Sequence, residues 1–570
     1  MVSNNSQELN QYLETLISPL EAFYDKETTL ADAPCYVQPY PDGTIEELSW
    51  QQAGQQIRSI AAHLASLELD PGSKIALLSS NCSHWMMADI AIWMAGHVSV
   101  PLYPVLTHTT IKQIIDHSES RAIIVGKLEG YDGMKQGIAD ELPGIAMPLA
   151  PSKAKEKYKN WNDIISHVPP MTDSPVVPIT NLATLIYTSG TTGMPKGVMH
   201  SFANLGVVGH QAGVLYNLDS SHRKLSYLPL AHAAERASVE INQLYYGYCV
   251  FFNNSLATFA DDLKRARPTC FFAVPRIWMK LQQRVLEKIP QEQLSEMLQN
   301  PELSEQIGNQ IKIGLGLDQL VVAISGAAPI SSGLMEWYKS IGITILEGYA
   351  MSENFAYSHT SKLGLTKIGS VGTPSNYVEC KISADGEILI KSPSNMMGYY
   401  KEPELSAAAI DEDGFLRTGD KGKIDNEGRL TITGRIKEIF KTSKGKYVAP
   451  APIEDLLLRN TAIEQVCVTG ANLASPIGIA TLTEHAANEI KNTATKNTLL
   501  ASIEATAIET NKALDKHERL ACIVLTSEHW TVENNLMTPT LKIKRNELDK
   551  KYEQNYETWA GSKTPIILLE

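Results

Sequence analysis

The sequence predicts an α/β fold: a large N-terminal body of mostly parallel sheets with flanking helices, a short β subdomain, and a small α+β C-terminal domain. Three observations predict it. Over roughly the first 350 residues, stretches with helical spacing alternate with short apolar runs, as parallel strands covered by helices require. From about residue 372 the texture turns to short β segments with Gly-bearing turns. From Arg435 onward a small mixed set of helices and strands follows, with 17 Lys and Arg against 17 Asp and Glu. The net charge of −13 therefore belongs wholly to the preceding part.

Each element follows from its residues. "WQQAGQQIRSIAAHLASLEL" has helical spacing; "PG" then breaks the chain before the strand-like "KIALLSS". A helix over "DIAIWMAG", a strand in "VSVPLYPVL", a helix near "IKQIIDHS" and the strand "RAIIVG" come next. Further strands are expected at "ATLIY", "CFFAV", "LVVAIS" and "ITILEGY". "ECKISADGEILIKSPS" and "DNEGRLTITG" carry the β subdomain. The last unit reads as helix "APIEDLLLRN", strands "EQVCVTG" and "IGIATLT", a helix near 497–515, strand "CIVLTS" and a helix begun by "LKIKRNELDKKYEQ". A boundary at 434 gives domains of 1–433 and 434–570.

Composition excludes several classes. A chain of 570 residues is too long for one core. The start "MVSNNSQELN" lacks the basic and apolar regions of a secretory signal. The most apolar stretch is broken by Asp89, His97, Pro101 and Pro104, so a buried helix and strand fit it better than a membrane span. Seven scattered cysteines with no CxxC pair read as reduced thiols in a cytoplasm. The acidic balance argues against nucleic acid as a partner. An acidic body that holds an anion needs local donors, and "KTSKGK" and "KIKR" supply them.

"YTSGTTGMPKGVMHS", residues 187–201, is the strongest single signal. A strand that ends in a Gly/Ser/Thr turn offers backbone N–H groups and hydroxyls to a phosphate, and Lys196 adds a point charge. It is not a Walker A loop, because Pro195 and Gly197 stand where the second Gly and the Ser/Thr belong.

This loop and the motifs after it resemble the adenylate-forming superfamily of acyl-CoA synthetases, adenylation domains and firefly luciferase. The resemblance spans essentially the whole chain: "SGAAPIS" (325–331), "EGYAMSE" (347–353), "RTGD" (417–420), "ITGRIKEIFKTSKGKYVAPAPIE" (432–454) and "TPTLKIKR" (538–545) follow in order. It implies ATP, Mg²⁺ and coenzyme A. Thr188, Ser189, Gly190, Thr191, Thr192, Gly193 and Lys196 would hold phosphates. Gly326, Ala327 and Ala328 would line the adenine, with Glu347, Gly348, Tyr349, Ala350, Met351 and Ser352 beside it. Glu353 and Thr188 would ligate Mg²⁺. Asp420 would hold the ribose hydroxyls, with Ile432 and Arg435 nearby. Lys542 would neutralise charge at the reacting carboxylate and α-phosphate, with Lys196, His232 and Glu353 completing the catalytic set. The C-terminal domain would be a mobile lid pivoting at Lys437 and bringing Gly445 toward acyl-AMP and pantetheine. Ala350 and Ser352 depart from a frequent Gly and Thr yet stay small, and Gly434 stands where an Asp is common.

"YLPLAHAAER" and "VPRIWMKL" are similar to segments of long-chain members, and the resemblance would put His232 beside the acyl carboxyl group. The reading is a long-chain fatty acid–CoA ligase, cytoplasmic with transient contact at a membrane surface. Open alternatives are a fatty acyl-AMP ligase that loads a carrier protein, a ligase for aryl or short acids, and a non-catalytic nucleotide-binding scaffold.

Overall fold

Side chains ahead of the early helices set where those helices begin. Ser18 Oγ accepts from Glu21 N while the Glu21 carboxylate accepts from Ser18 N, which starts helix Pro19–Thr29. Ser49 and Gln52 do the same for helix Trp50–Ala65. Each pair satisfies donors that a helix start leaves open. The structure is a computed structural model and describes residues 2–188, 194–532, 534–538, 542–562 and 564–569.

The alternation in the sequence builds a mixed sheet of eight strands among the described residues. Strands Leu182–Thr188, Val98–Leu102, Lys74–Leu78, Ser120–Val125, Gly144–Ala146 and Lys159–Asn160 run parallel in that order. Lys196–Ser201 and then Gly398–Tyr399 add antiparallel neighbours at the Leu182 edge. Strands Leu182–Thr188 and Lys196–Ser201 thus flank the hydroxyl-rich stretch in the chain, and the second of them was not foreseen in the sequence. A second sheet aligns Cys270–Ala273, Val322–Ser325 and Ile345–Tyr349 in parallel, then turns antiparallel. A third carries Arg223–Ser226, Cys249–Phe252 and Pro34–Pro39 in parallel, with Ile45–Ser49 antiparallel. The short β subdomain is antiparallel: Glu379–Ile382, Glu387–Lys391, Leu416–Ile424 and Leu430–Arg435.

Helix Ser83–Met94 is buried along its whole length, which accounts for its apolar character on every side. Asp89 within it meets Arg236, whose Nε also donates to Glu240 at 3.0 Å; all three side chains are fully buried. Arg236 Nη1 donates to Thr184 Oγ1 at 2.7 Å and Nη2 to Ser99 Oγ at 3.1 Å. The π-helix Arg236–Ile241 is thereby tied to two central strands. No helix among the described residues is long and apolar enough to cross a membrane.

The small C-terminal unit has a sheet of Ile463–Thr469, Ile477–Leu482, Ile523–Thr526 and Ile566–Leu569. Helices Pro450–Leu457 and Thr493–Ala513 contribute Ile453, Leu457, Leu499 and Ile503 to its core. The last expected helix runs Arg545–Tyr552. Arg276 in helix Pro275–Leu286 of the body bridges to Glu464 in this unit at 2.6 Å. The tryptophans anchor separate cores: Trp50, Trp85, Trp93 and Trp161 in one, Trp278 and Trp337 in another, Trp530 and Trp559 in the C-terminal unit. All seven cysteines are free thiols.

Candidate active site

Strand ends from the two larger parallel arrays, the β subdomain and the C-terminal unit meet around one cleft of about 2390 Å³. Thr188 ends one strand and pairs in register with Lys196, which begins the next. Both line the cleft. Ser189, Gly190, Thr191, Thr192 and Gly193 lie outside the described residues.

Lys196 Nζ stands 5.4 Å from the centroid of the Tyr399 ring, and the Tyr399 hydroxyl donates to Glu353 Oε1 at 2.9 Å. The point charge of the loop and the carboxylate are thus joined through an aromatic residue. Sequence reasoning missed Tyr399. It stands on a two-residue strand, Gly398–Tyr399, laid against Lys196–Ser201, a pairing that its local sequence does not mark.

Glu347, Gly348 and Tyr349 close strand Ile345–Tyr349, and Ala350 and Met351 lead into the turn Ser352–Asn354 that holds Glu353. The turn is fixed on two sides: Met351 N donates to Asn354 Oδ1 at 2.9 Å, and His200 Nε2 lies 2.7 Å from Ser352 O. Gly326, Ala327 and Ala328 follow strand Val322–Ser325. A Cβ at position 326 would stand 3.1 Å from Gly348 O, so glycine permits the two strand ends to approach. Ala327 has φ +66, an uncommon conformation for a residue with a Cβ.

Asp420 is buried and accepts from both sides. Tyr349 Oη donates to Oδ2 at 2.7 Å, and Arg435 Nε donates to Oδ1 at 2.7 Å. Ile432 lies three residues before Arg435 on the same strand and also faces the cleft. Glu347 is 8% exposed, and burial, with Asp455 of the C-terminal unit adding like charge, pushes its carboxyl up to about 7. Neither Glu438 nor Asp455 was singled out from the sequence, and both line the cleft.

His232 precedes a short helix, and its Nδ1 accepts from Ala234 N at 3.2 Å. Burial first, and then the charge of Lys542, hold the imidazole down at about 4, so it is neutral at pH 7. Lys542 comes from the C-terminal unit and lines the same cleft. The residue as a whole is exposed, whereas its ammonium stands among the atoms of the cleft walls. Loss of water there, followed by repulsion from Arg435, pushes the ammonium down; Asp420, Glu353 and Glu438 pull the other way. Thr538 Oγ1 accepts from Lys542 N at 3.0 Å.

Gly445 is placed elsewhere. It has φ +76 in the exposed turn between Phe440–Lys441 and Tyr447–Val448 and is not among the cleft residues. Lys437, in the turn Ile436–Glu438, is among them.

Residues 23–400 match the model of the AMP-binding enzyme family, and residues 437–559 match that of the AMP-binding enzyme C-terminal domain. The chain belongs to the AMP-binding enzyme family. Within that family it is 30% identical to the peroxisomal long chain acyl-CoA synthetase 6 of Arabidopsis thaliana, over 88% of this chain and 80% of the relative. It is 27% identical to the long-chain-fatty-acid–CoA ligase FadD15 of Mycobacterium bovis, over 92% of this chain and 94% of the relative. The crystal structure of the anthranilate CoA ligase AuaEII in complex with anthranoyl-AMP has the same fold, with a TM-score of 0.77 and 20% identity over 94% of this chain and 97% of that one. AMP-binding enzymes use ATP, Mg²⁺ and coenzyme A, and the cleft offers acidic, cationic and hydroxyl groups suited to all three.

Proposed function

We propose that this protein is an AMP-forming acid–CoA ligase: it activates a long-chain fatty acid with ATP to acyl-AMP and pyrophosphate, then transfers the acyl group to coenzyme A. The observation that carries the reading is that Lys542 of the C-terminal unit shares one cleft with the Asp420–Arg435 pair, Glu353 and His232. The two named relatives, both of the long-chain class, support the choice of acid.

In the first half-reaction a carboxylate oxygen attacks the α-phosphorus, and the bond to the β-phosphate oxygen breaks. Tyr349 and the residue 326–328 turn would bound the adenine, and Asp420 would accept from the ribose hydroxyls. Mg²⁺, held by Glu353, Thr188 and phosphate oxygens, would supply charge neutralisation from hard-oxygen coordination. Lys542 would neutralise the charge that builds between carboxylate and α-phosphate, and neutral His232 would stand beside the acyl carboxyl without competing for its negative charge. In the second half-reaction the coenzyme A thiolate attacks the acyl carbonyl and AMP leaves. We place the boundary of the lid at 434 and its pivot at Lys437, so that rotation withdraws Lys542 and brings Gly445 inward. We assign the enzyme to the cytoplasm, in transient contact with a membrane surface that accepts its apolar product.

The test is an ATP-dependent assay with palmitate, with and without coenzyme A, in which AMP, ADP and palmitoyl-CoA are separated. AMP and palmitoyl-CoA that both require coenzyme A and Mg²⁺ are expected. Acyl-AMP that accumulates and ignores coenzyme A would move the reading to carrier-protein loading, and ADP as product would overturn it.

A further inference from the structure

The wall of the cleft carries a buried cation that the proposed chemistry does not use. Lys224 lies on strand Arg223–Ser226, is 4% exposed, and borders the cleft together with Ser238, Asn242 and Cys270. Its Nζ donates to the carbonyl of Ser238, lies 3.4 Å from Asn242 Oδ1, and stands 4.7 Å from the centroid of the Tyr248 ring. All of these partners are uncharged. Among the described residues no carboxylate lies within ion-pair distance of that nitrogen. Of the acidic groups that act on it, the buried Cys270 thiol, also a hydrogen-bond partner, comes first and Glu235 second; Glu235 Oε1 accepts from Tyr227 N and Ser226 Oγ, each at 3.0 Å. Burial pushes Glu235 up to about 8, so at pH 7 it supplies little counter-charge.

A wall built only for hydrocarbon has no need of this group. Taking an ammonium out of water among neutral partners carries a desolvation penalty that no ion pair offsets here. The location is informative as well. Ser238 and Asn242 follow His232 by six and ten residues along one continuous helical path, α then π, so they stand successively farther from it. The small Ala233 and Ala237 lie between them and also border the cleft. An acyl chain with its carboxyl group at His232 would bring its distal carbons to Lys224.

We propose that Lys224, with Ser238 and Asn242, forms a polar subsite for a second hydrogen-bond-accepting group on the acyl chain, a carboxylate above all. This rests on the acid–CoA ligase reading and narrows it: the substrate class is a chain bearing an oxygen function far from its reacting end. A distal carboxylate would give the ammonium the ion pair that the fold leaves out, and a hydroxyl would satisfy it in part.

The test compares dodecanedioate, ω-hydroxydodecanoate and dodecanoate as substrates of the full chain, with pyrophosphate release as the readout, in wild type and in Lys224→Met. Wild type is expected to favour dodecanedioate over dodecanoate by tenfold or more in kcat/KM, with the hydroxy acid between. In Lys224→Met the order inverts, with a higher kcat/KM for dodecanoate than in wild type, because an apolar tail then meets an apolar wall. Wild type that turns over dodecanoate as well as or better than dodecanedioate overturns the proposal, as does a variant that keeps the wild-type ratio. Should the variant fail to fold, the wild-type ratio decides alone. Pyrophosphate release from none of these acids nor from palmitate would overturn the ligase reading itself, an outcome distinct from equal turnover of all of them.

Discussion

Arg435 and Asp420 face each other across strands Leu416–Ile424 and Leu430–Arg435, and Arg435 Nε donates to Asp420 Oδ1 at 2.7 Å. Tyr349 takes the other oxygen at the same distance. The carboxylate is therefore held in one orientation from both sides, in the wall of the cleft where the proposed reading seats the ribose. Asp420→Asn removes the charge from these hydrogen bonds and is expected to raise KM for ATP by roughly 10- to 100-fold. Steady-state kinetics with ATP as the varied substrate checks this; an unchanged KM would take Asp420 out of nucleotide binding.

On the proposed reading, Lys542 serves one half-reaction and not the other. Lys542→Ala is expected to slow acyl-AMP formation by about 100-fold or more, the scale on which a transition-state donor counts, and largely to spare thioester formation from supplied acyl-AMP. Single-turnover measurements of each half-reaction separate the two. Equal loss in both would make the lysine a structural residue.

Glu347 gives a pH signature of known sign. Its folded value of about 7 lies above the ordinary 4.5 of a free glutamate. Its contribution to stability is therefore fully present below pH about 4.5 and lost as the pH rises through about 7. The loss amounts to something on the order of 3 kcal/mol. Glu347→Gln keeps the shape and removes the titration. The difference in thermal midpoint between variant and wild type is expected to widen in favour of the variant from pH 5 to pH 8; a constant difference would refute this account of Glu347.

Arg236 sits between Asp89 and Glu240 with every side chain buried. Arg236→Met leaves two buried acids without their cation and is expected to destabilise the body by about 3–5 kcal/mol. Urea unfolding followed by circular dichroism measures it. A change under about 1 kcal/mol would show that the acids are neutral and need no cation.

The sequence made the parallel core legible because strands buried on both faces read as unbroken apolar runs, as in "KIALL" and "RAIIV". Strand Lys196–Ser201 escaped notice because "KGVMHS" mixes Lys, Gly, His and Ser, and its place depends on the partner strand Leu182–Thr188. Of the residues that the ordered motifs named, Asp420, Arg435 and Lys542 all border the cleft. What stayed hidden depends on contacts between residues far apart in the chain. Tyr399 reaches Glu353 across 46 positions. Lys224 within "SHRKLSYLPL" reads as an ordinary strand-edge charge until packing buries it.

The tryptophans have a practical consequence. All eight are buried, each inside the core of its own unit. Their emission will respond when a unit melts, and it will stay silent when one unit turns against the other. If the C-terminal unit turns as proposed, an optical record of turnover needs a reporter at the seam, and the Arg276–Glu464 contact between the two units is a place to build it.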